Sequence, residues 1–191
     1  MKKRIFTLLF ASSALFANPY ESNQEEIESV KAIGAKASAA LLKNLGGNLQ
    51  KHMQSGGPME ALDFCSNNAL VLTEAVDQQL GSDVSVKRIS LGYRNPVNAP
   101  KGHEKAILES LQTLQDNGVV LPDAVVEVAG EGVYKYYKPL LINKPVCLKC
   151  HGDVSAAEPL GKAIQTRYPD DKATGYKMND LRGAIVVEIR K

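Results

Sequence analysis

The chain has 191 residues, the size of one ordinary domain, and 44% of them are hydrophobic, as in globular proteins. The formal net charge is +2, but three of the 23 Lys and Arg residues are Lys2, Lys3 and Arg4, and without them 20 basic residues stand against 21 acidic ones. Such a near-neutral balance lacks the excess of positive charge that is typical of a protein that binds nucleic acid or an anionic membrane surface.

Residues 1–17 have the pattern of an export signal. A basic start at Lys2-Lys3-Arg4 is followed by a short, largely apolar stretch over residues 5–16. This stretch is too short for a membrane span, so we predict a signal peptide at residues 1–17, a periplasmic protein and no stable span after cleavage. An uncleaved anchor is the alternative, because Leu15 occupies a position where a cleavage site usually has a small residue.

Two helices are predicted next, separated by the turn residues Ser55-Gly56-Gly57-Pro58. Residues 21–53 place apolar side chains at three- and four-residue steps, which predicts the first helix. Gly46-Gly47 interrupts this pattern and marks a point where the helix can kink or end. Residues 59–80 carry the apolar stripe of the second helix, and Cys65 lies on that stripe.

The rest of the chain combines short strands with helices. The predicted elements are a strand at 84–91, an ordered loop at 92–100, a helix at 101–117, a hairpin at 124–129 and 132–142, a short helix at 156–168 and a strand at 183–190. In the helix at 101–117, four apolar side chains are expected to face inward, those of Ile107, Leu108, Leu111 and Leu114. This order favours an α+β fold with a small antiparallel sheet and long N-terminal helices beside it. We assign residues 18–57 to an N-terminal helix and residues 58–191 to the main domain.

Cys147-Leu148-Lys149-Cys150-His151 has the C-x-x-C-H spacing of a covalent haem site. Each thiol can add to one vinyl group at the same edge of the macrocycle, and the histidine then lies under the iron as an axial ligand. We therefore predict one haem c held by Cys147, Cys150 and His151. Export agrees with this prediction, because c-type haem is attached outside the bacterial cytoplasm, and it makes the cytochrome c maturation machinery an expected partner.

Two other interpretations of this stretch exist. A redox C-x-x-C pair can by chance be followed by histidine. A zinc site can also begin with C-x-x-C, but the sequence has no second C-x-x-C to complete it. The third cysteine, Cys65, has no covalent role under the haem prediction. From composition alone it is best explained as a small, inert core residue, although a lone thiol in an oxidising compartment is a liability unless it is buried or bound.

Three further stretches resemble a known family. They are Ala61-Leu62-Asp63-Phe64-Cys65 with Ala69, Arg88-Ile89-Ser90-Leu91 with Arg94-Asn95-Pro96-Val97-Asn98, and Cys147 to Gly152 followed by residues 168–176 and Arg182-Gly183-Ala184. With C-x-x-C-H in this order, residues 27–190 resemble the PAS-like c-type haem domain family. Its members occur alone in the periplasm or as sensor segments ahead of signalling modules. The resemblance implies a PAS-like antiparallel sheet.

The same resemblance implies that His151 is one axial ligand of the iron and that a thiolate from the upstream helix, here Cys65, is the other. Two positions depart from the family pattern. Ile89 stands where threonine is usual, and His103 stands before Glu104 where a bulky aromatic residue is expected. Rival ligands therefore remain open, and they are His103, His52, Met53, Met59 and Met178.

Two arginines of the matching stretches, Arg88 and Arg94, are expected to contact the haem propionates. A guanidinium group matches a carboxylate with two parallel hydrogen bonds, which favours arginine for this role. A surface salt bridge or a contact that orders a loop is the alternative for each of them.

These features predict a haem-based redox or gas sensor without catalysis of its own. A thiolate ligand stabilises ferric haem and lowers the reduction potential, and its release on reduction would open a coordination position or move the helix at 59–80. Such a sensor would need a redox or signalling protein as its partner. A periplasmic electron carrier is the alternative, and a small haem enzyme that uses His103 as its acid–base residue is a weaker third hypothesis.

Overall fold

The computed structural model describes residues 19–155 and 157–191, so the predicted export signal lies outside the described residues. Its sheet has four antiparallel strands in the order β1-β4-β3-β2. They are β1 (Val84–Ile89), β2 (Val125–Gly130), β3 (Val133–Leu141) and β4 (Leu181–Arg190). Strand β4 lies between β1 and β3, with Val187 opposite both Val86 and Tyr136. Because helices cover both faces of the sheet, its residues 183–187 are all buried.

A single long helix, α1 (Pro19–Gln79), contains both predicted N-terminal helices and changes direction at one point. Gly57 has φ 72° and ψ −160°, a conformation that L side chains rarely adopt, and Pro58 follows it without a backbone N–H to donate. The predicted break at residues 55–58 is therefore confirmed as a kink. At Gly46-Gly47 the helix continues without interruption.

The two faces of the sheet are covered by different helices. On one face Val30 and Leu41 of α1 pack with Val76, Val187 and other buried apolar residues, so both arms of α1 share one core with the sheet. On the other face, helix α2 (His103–Asp116) buries Leu108 against Tyr137 and Val186. The predicted α+β fold, with an antiparallel sheet and a long N-terminal helix, is confirmed.

The inward stripe of α2 differs from the predicted one. Leu108 and Leu111 are buried as expected, but Leu114 is 39% exposed. The last inward position is taken by Gln115, whose side-chain oxygen accepts from the Leu181 N–H at 2.7 Å and whose amide donates to the Asn179 carbonyl at 2.7 Å. The polar side chain faces inward because it satisfies backbone groups at the start of β4, which an apolar residue cannot do.

Two short helices follow the sheet's hairpin. Helix α3 (Leu148–His151) comes directly after a 3₁₀ turn at Pro145–Cys147, and α4 (Leu160–Arg167) lies further along the chain. Leu62 of α1 packs with Leu160 and Ile164 of α4, which attaches the second arm of α1 to this part of the chain. Within the described residues, no helix has both the length and the apolar character needed to cross a bilayer.

Candidate functional site

A cleft of about 340 Å³ lies between the two arms of α1, the Cys147–His151 turn and the edge of the sheet. Leu45 and Leu49 line it from the arm before the kink, and Leu62 and Phe64 line it from the arm after the kink. All six site residues predicted from the sequence line this one cleft. They are Cys65, Arg88, Arg94, Cys147, Cys150 and His151.

Gly46 leaves part of the cleft wall without a side chain. A Cβ atom at this position would meet no heavy atom within 4 Å, and the same is true of its neighbour Gly47. Of these two glycines only Gly46 lines the cleft. Two glycines in a helix interior are each unfavourable by about 1 kcal/mol relative to alanine. At Gly46 the missing side chain keeps the helix backbone open to whatever occupies the cleft.

The turn that carries both cysteines of the C-x-x-C-H motif is short and helical. The Cys147 N–H donates to the Lys144 carbonyl at 3.0 Å, and the Gly152 N–H donates to the Leu148 carbonyl at 2.9 Å. Residues three apart lie on the same face of such a turn, which directs Cys147 and Cys150 the same way. A Cβ atom at Gly152 would lie only 2.7 Å from the Leu148 carbonyl oxygen, so the close end of this turn requires glycine.

The ring of His151 is held in one orientation. Its Nδ1 donates to the carbonyl oxygen of Ala173 at 2.8 Å, and the Tyr176 ring meets it edge-on. Desolvation by the surrounding protein, assisted by Arg182 and Arg94, lowers the pKa of His151 to about 3. The ring is therefore neutral at pH 7 with its proton on Nδ1, which leaves the Nε2 lone pair free to coordinate a metal.

Cys65 faces the same cleft from the second arm of α1. Burial raises the pKa of this thiol, and the nearby Cys150 raises it further, while Arg88 and Arg94 lower it. Burial also raises the pKa of the Cys150 thiol, while Arg94 lowers it. Both groups are thus thiols rather than thiolates at neutral pH unless a metal or a covalent bond removes the proton.

No bare metal ion fits these side chains. Among the described residues, no group of three or more His, Cys, Asp or Glu side chains lies close enough together to hold one ion. Cys65, Cys147, Cys150 and His151 nevertheless share one cleft. The described residues therefore offer no support for the zinc interpretation of C-x-x-C.

Arg94 connects the motif turn to the loop at residues 168–176. Its Nε and Nη2 donate to the two carboxylate oxygens of Asp171 at 3.2 and 3.1 Å, and Nη2 also donates to the Cys150 carbonyl at 2.7 Å. Asp171 Oδ1 in turn accepts from the Ala173 N–H at 2.9 Å. This is the loop-ordering contact that was the alternative for Arg94, and it places the carbonyl that orients His151.

Two other arginines line the cleft, Arg88 and Arg182. Arg88 donates from Nη2 to the Ala69 carbonyl at 3.3 Å, and Arg182 donates from Nη1 to Ser90 Oγ at 2.7 Å and to the Gly92 carbonyl at 2.9 Å. The Nε of each is buried without a hydrogen-bond partner among the described residues. Sequence reasoning assigned no role to Arg182, although Arg182-Gly183-Ala184 belongs to the stretches that resemble the known family.

Four of the five rival ligands lie outside the cleft lining. His103 is 86% exposed and bonded to Glu127 at 2.9 Å, and it does not belong to the cleft lining. His52 stacks on Phe64 with ring centroids 4.0 Å apart and also lies outside the lining. Met178 is 40% exposed, and Met59 packs beside Leu62. Of the five rivals only Met53 lines the cleft.

Comparisons with known proteins agree on one relationship. The model of the Tll0287-like family matches residues 16–190 of the chain. Among solved structures, the crystal structure of the cyanobacterial haem protein Tll0287 is similar with a TM-score of 0.61 and 22% identity, covering 92% of this chain and 98% of that chain. At that identity the likeness shows a shared fold. No curated protein matches the chain.

Proposed function

The chain belongs to the Tll0287-like family, and from this premise we propose that it is an exported protein that binds one haem c covalently. The main support for the proposal is that the two cysteines and the histidine of the C-x-x-C-H motif line the same cleft. Cys147 and Cys150 lie on one helical turn, and His151 directly after them is neutral and held by Nδ1 with Nε2 free. The similar cyanobacterial protein is itself a haem protein.

The shape of the cleft fits a flat, largely apolar cofactor. Its volume of about 340 Å³ lies within the range of small-molecule and cofactor sites, about 300–1,000 Å³. The two arms of α1 provide apolar walls, and Gly46 provides a stretch of wall without a side chain. The buried, unpartnered Nε atoms of Arg88 and Arg182 mark an end of the cleft suited to acidic groups.

Four residues would hold the haem. Cys147 and Cys150 would attach it, and His151 Nε2 and the Cys65 thiolate would be the axial ligands. Arg88 and Arg94 are the propionate partners expected from the sequence, and Arg88 retains a free edge for this role. Bound there, haem would supply a one-electron ferric/ferrous couple and, where one ligand leaves, an open coordination position.

We further propose a sensor role for this site. Cys65 belongs to α1, whereas His151 belongs to the motif turn, so release of Cys65 would act on a helix of 61 residues that is kinked at Gly57. Such a protein would pass its state to a redox or signalling partner in the periplasm.

An electron carrier is the second candidate function. Two residues that line the cleft, Leu42 and Val146, are 42% and 39% exposed, so the cleft is open to solvent along one side. An exposed cofactor edge is what electron transfer between proteins requires. The enzyme hypothesis used His103 as an acid–base residue, and His103 lies outside the cleft lining. We propose that the protein has no catalysis of its own.

Expression with an intact export signal in cells that mature c-type cytochromes tests the haem proposal. Haem staining after denaturing electrophoresis should reveal a covalent adduct, and Cys147→Ser or Cys150→Ser should weaken or abolish it while Cys65→Ser keeps it. A colourless wild-type band would end the proposal. Spectra of the reduced protein under carbon monoxide separate the two roles, because a sensor binds the gas after reduction and a carrier stays six-coordinate.

A further inference from the structure

The cleft contains more positive charge than its own residues neutralise. Of the described residues that line it, three are arginines and none is acidic. Only Arg94 forms an ion pair there, with Asp171. None of the other ion pairs among the described residues includes Arg88 or Arg182. Buried charges in proteins are normally paired, so two guanidinium groups lack a counter-charge.

Asp171 cannot serve all three arginines. It attracts Arg182 electrostatically, but its oxygens are already committed to nearer donors. Oδ1 accepts from Arg94 Nε and from the Ala173 N–H, and Oδ2 accepts from Arg94 Nη2. Arg182 and Arg88 donate only to neutral oxygens, those of Ser90, Gly92 and Ala69. The cleft therefore has an excess of two positive charges.

The two unpaired arginines lie on neighbouring strands of the sheet, Arg88 on β1 and Arg182 on β4. Arg88 donates to the carbonyl oxygen of Ala69, which lies one helical turn beyond Cys65 on α1. The guanidinium carbon of Arg182 lies 5.4 Å from the centroid of the Tyr176 ring, and the same ring meets His151 edge-on. Each arginine thus accompanies one of the two proposed axial ligands. The Nε atom of each arginine is buried without a hydrogen-bond partner among the described residues.

We propose that Arg88 and Arg182 form the carboxylate-binding end of the cleft, each neutralising one propionate of the haem, and that Arg94 is a positioning residue. This assignment rests on the haem function proposed above, and it replaces Arg94 by Arg182 among the residues that touch the cofactor. Two unpaired cations match a ligand with two carboxylates, and charge-assisted hydrogen bonds to a guanidinium group are the strong ones. Arg94 holds the motif turn against the 168–176 loop instead.

Reversible porphyrin binding separates these roles. The full chain with Cys147→Ala and Cys150→Ala is titrated with ferric protoporphyrin IX and with its dimethyl ester, which has no propionate charge. The parent variant should prefer the diacid, and Arg88→Gln or Arg182→Gln should each reduce that preference about tenfold or more. Arg94→Gln should weaken the binding of both porphyrins alike and leave the preference intact. Arg190→Gln, an exposed position on the same strand as Arg182, is the matched control and should change neither.

A second measurement uses the covalent haem protein. Loss of a positive charge beside the haem favours the ferric state, so Arg182→Gln and Arg88→Gln should lower the reduction potential, whereas Arg182→Lys and Arg190→Gln should largely retain it. Equal affinity of the parent for both porphyrins, or a preference abolished by Arg94→Gln alone, would overturn the assignment while covalent haem still stands. A wild-type chain that carries no haem would overturn the proposed function and this assignment together.

Discussion

His151 and Ala173 are joined by a hydrogen bond of 2.8 Å from the imidazole Nδ1 to the backbone carbonyl oxygen. The carbonyl belongs to a loop that Asp171 stabilises by accepting the Ala173 N–H, and Arg94 binds that same carboxylate. The orientation of one histidine ring therefore depends on an ion pair whose members are 77 residues apart in the chain. Metal-binding histidines commonly rely on such a supporting contact.

Asp171→Asn should destabilise the protein strongly. The side chains of Arg94 and Asp171 are only 13% and 4% exposed, so loss of the carboxylate leaves a partly buried guanidinium group without its partner. We expect the free energy of unfolding to fall by about 3–5 kcal/mol, the usual cost of breaking a buried pair. Urea unfolding of the haem-free chain measures the change. Asp170→Asn is the control, since Asp170 is exposed, and equal midpoints for the two variants would contradict the expectation.

Cys65→Ser should keep the covalent haem but remove the ferric thiolate spectrum. It should also raise the reduction potential, because an anionic ligand no longer stabilises the ferric state. Absorption spectra of the oxidised protein and a redox titration provide the two measurements. Met53→Leu is the informative partner variant, since Met53 is the one rival ligand in the cleft. A spectrum that changes with Met53→Leu and not with Cys65→Ser would assign the ligand to Met53.

Gly46→Leu should block haem binding even though it favours the helix. Leucine is a better helix former than glycine by roughly 1 kcal/mol, so the thermal midpoint of the haem-free chain should rise. Its side chain would extend from the cleft wall, however, and the haem-to-protein ratio should fall sharply. Gly47→Leu is the control. It favours the helix equally, but Gly47 does not line the cleft, so this variant should retain haem. If both variants carry haem equally, the cofactor does not lie against this wall.

The haem-free chain should lose stability as the pH falls below 6.5. The pKa of His151 is about 3 in the folded protein and near 6.5 when the chain is unfolded, so the unfolded state binds a proton first. Stability from the neutral ring is present above pH 6.5 and falls by about 2 kcal/mol between pH 7 and pH 5. Chemical unfolding at each pH measures this slope. His151→Gln should flatten it, and a variant at the exposed His103, His103→Gln, should not.

Local patterns predicted the helices, the strands and the motif turn, because each depends on neighbours in the sequence. Gly57 and Pro58 were sufficient to place the kink, and C-x-x-C-H was sufficient to place three side chains on one turn. The strand order could not be predicted in the same way, since pairing between β4 and β1 joins residues about a hundred positions apart.

The roles of the arginines illustrate the same limit. Arg94 was singled out for a haem propionate, but its partner Asp171 is brought to it only by the folded loop. Arg182 has no neighbour in the sequence that suggests a cleft, and its position follows from the central place of β4. Hydrophobicity alone predicts that Leu114 faces inward and Gln115 faces solvent. The opposite is found, because the Leu181 N–H at the start of β4 needs an acceptor and Gln115 provides it.

The central place of β4 also sets an order of assembly. Ribosomes make the chain from its N-terminus, so the Cys147–His151 turn exists before Leu181–Arg190 is synthesised. Before β4 is made, strands β1 and β3 lack the strand that pairs with both of them. The part of the cleft wall that Arg182 of β4 provides is absent as well. An enzyme that attaches a cofactor to the nascent turn would therefore meet an open, accessible loop. Insertion of β4 would then close the sheet around the finished adduct.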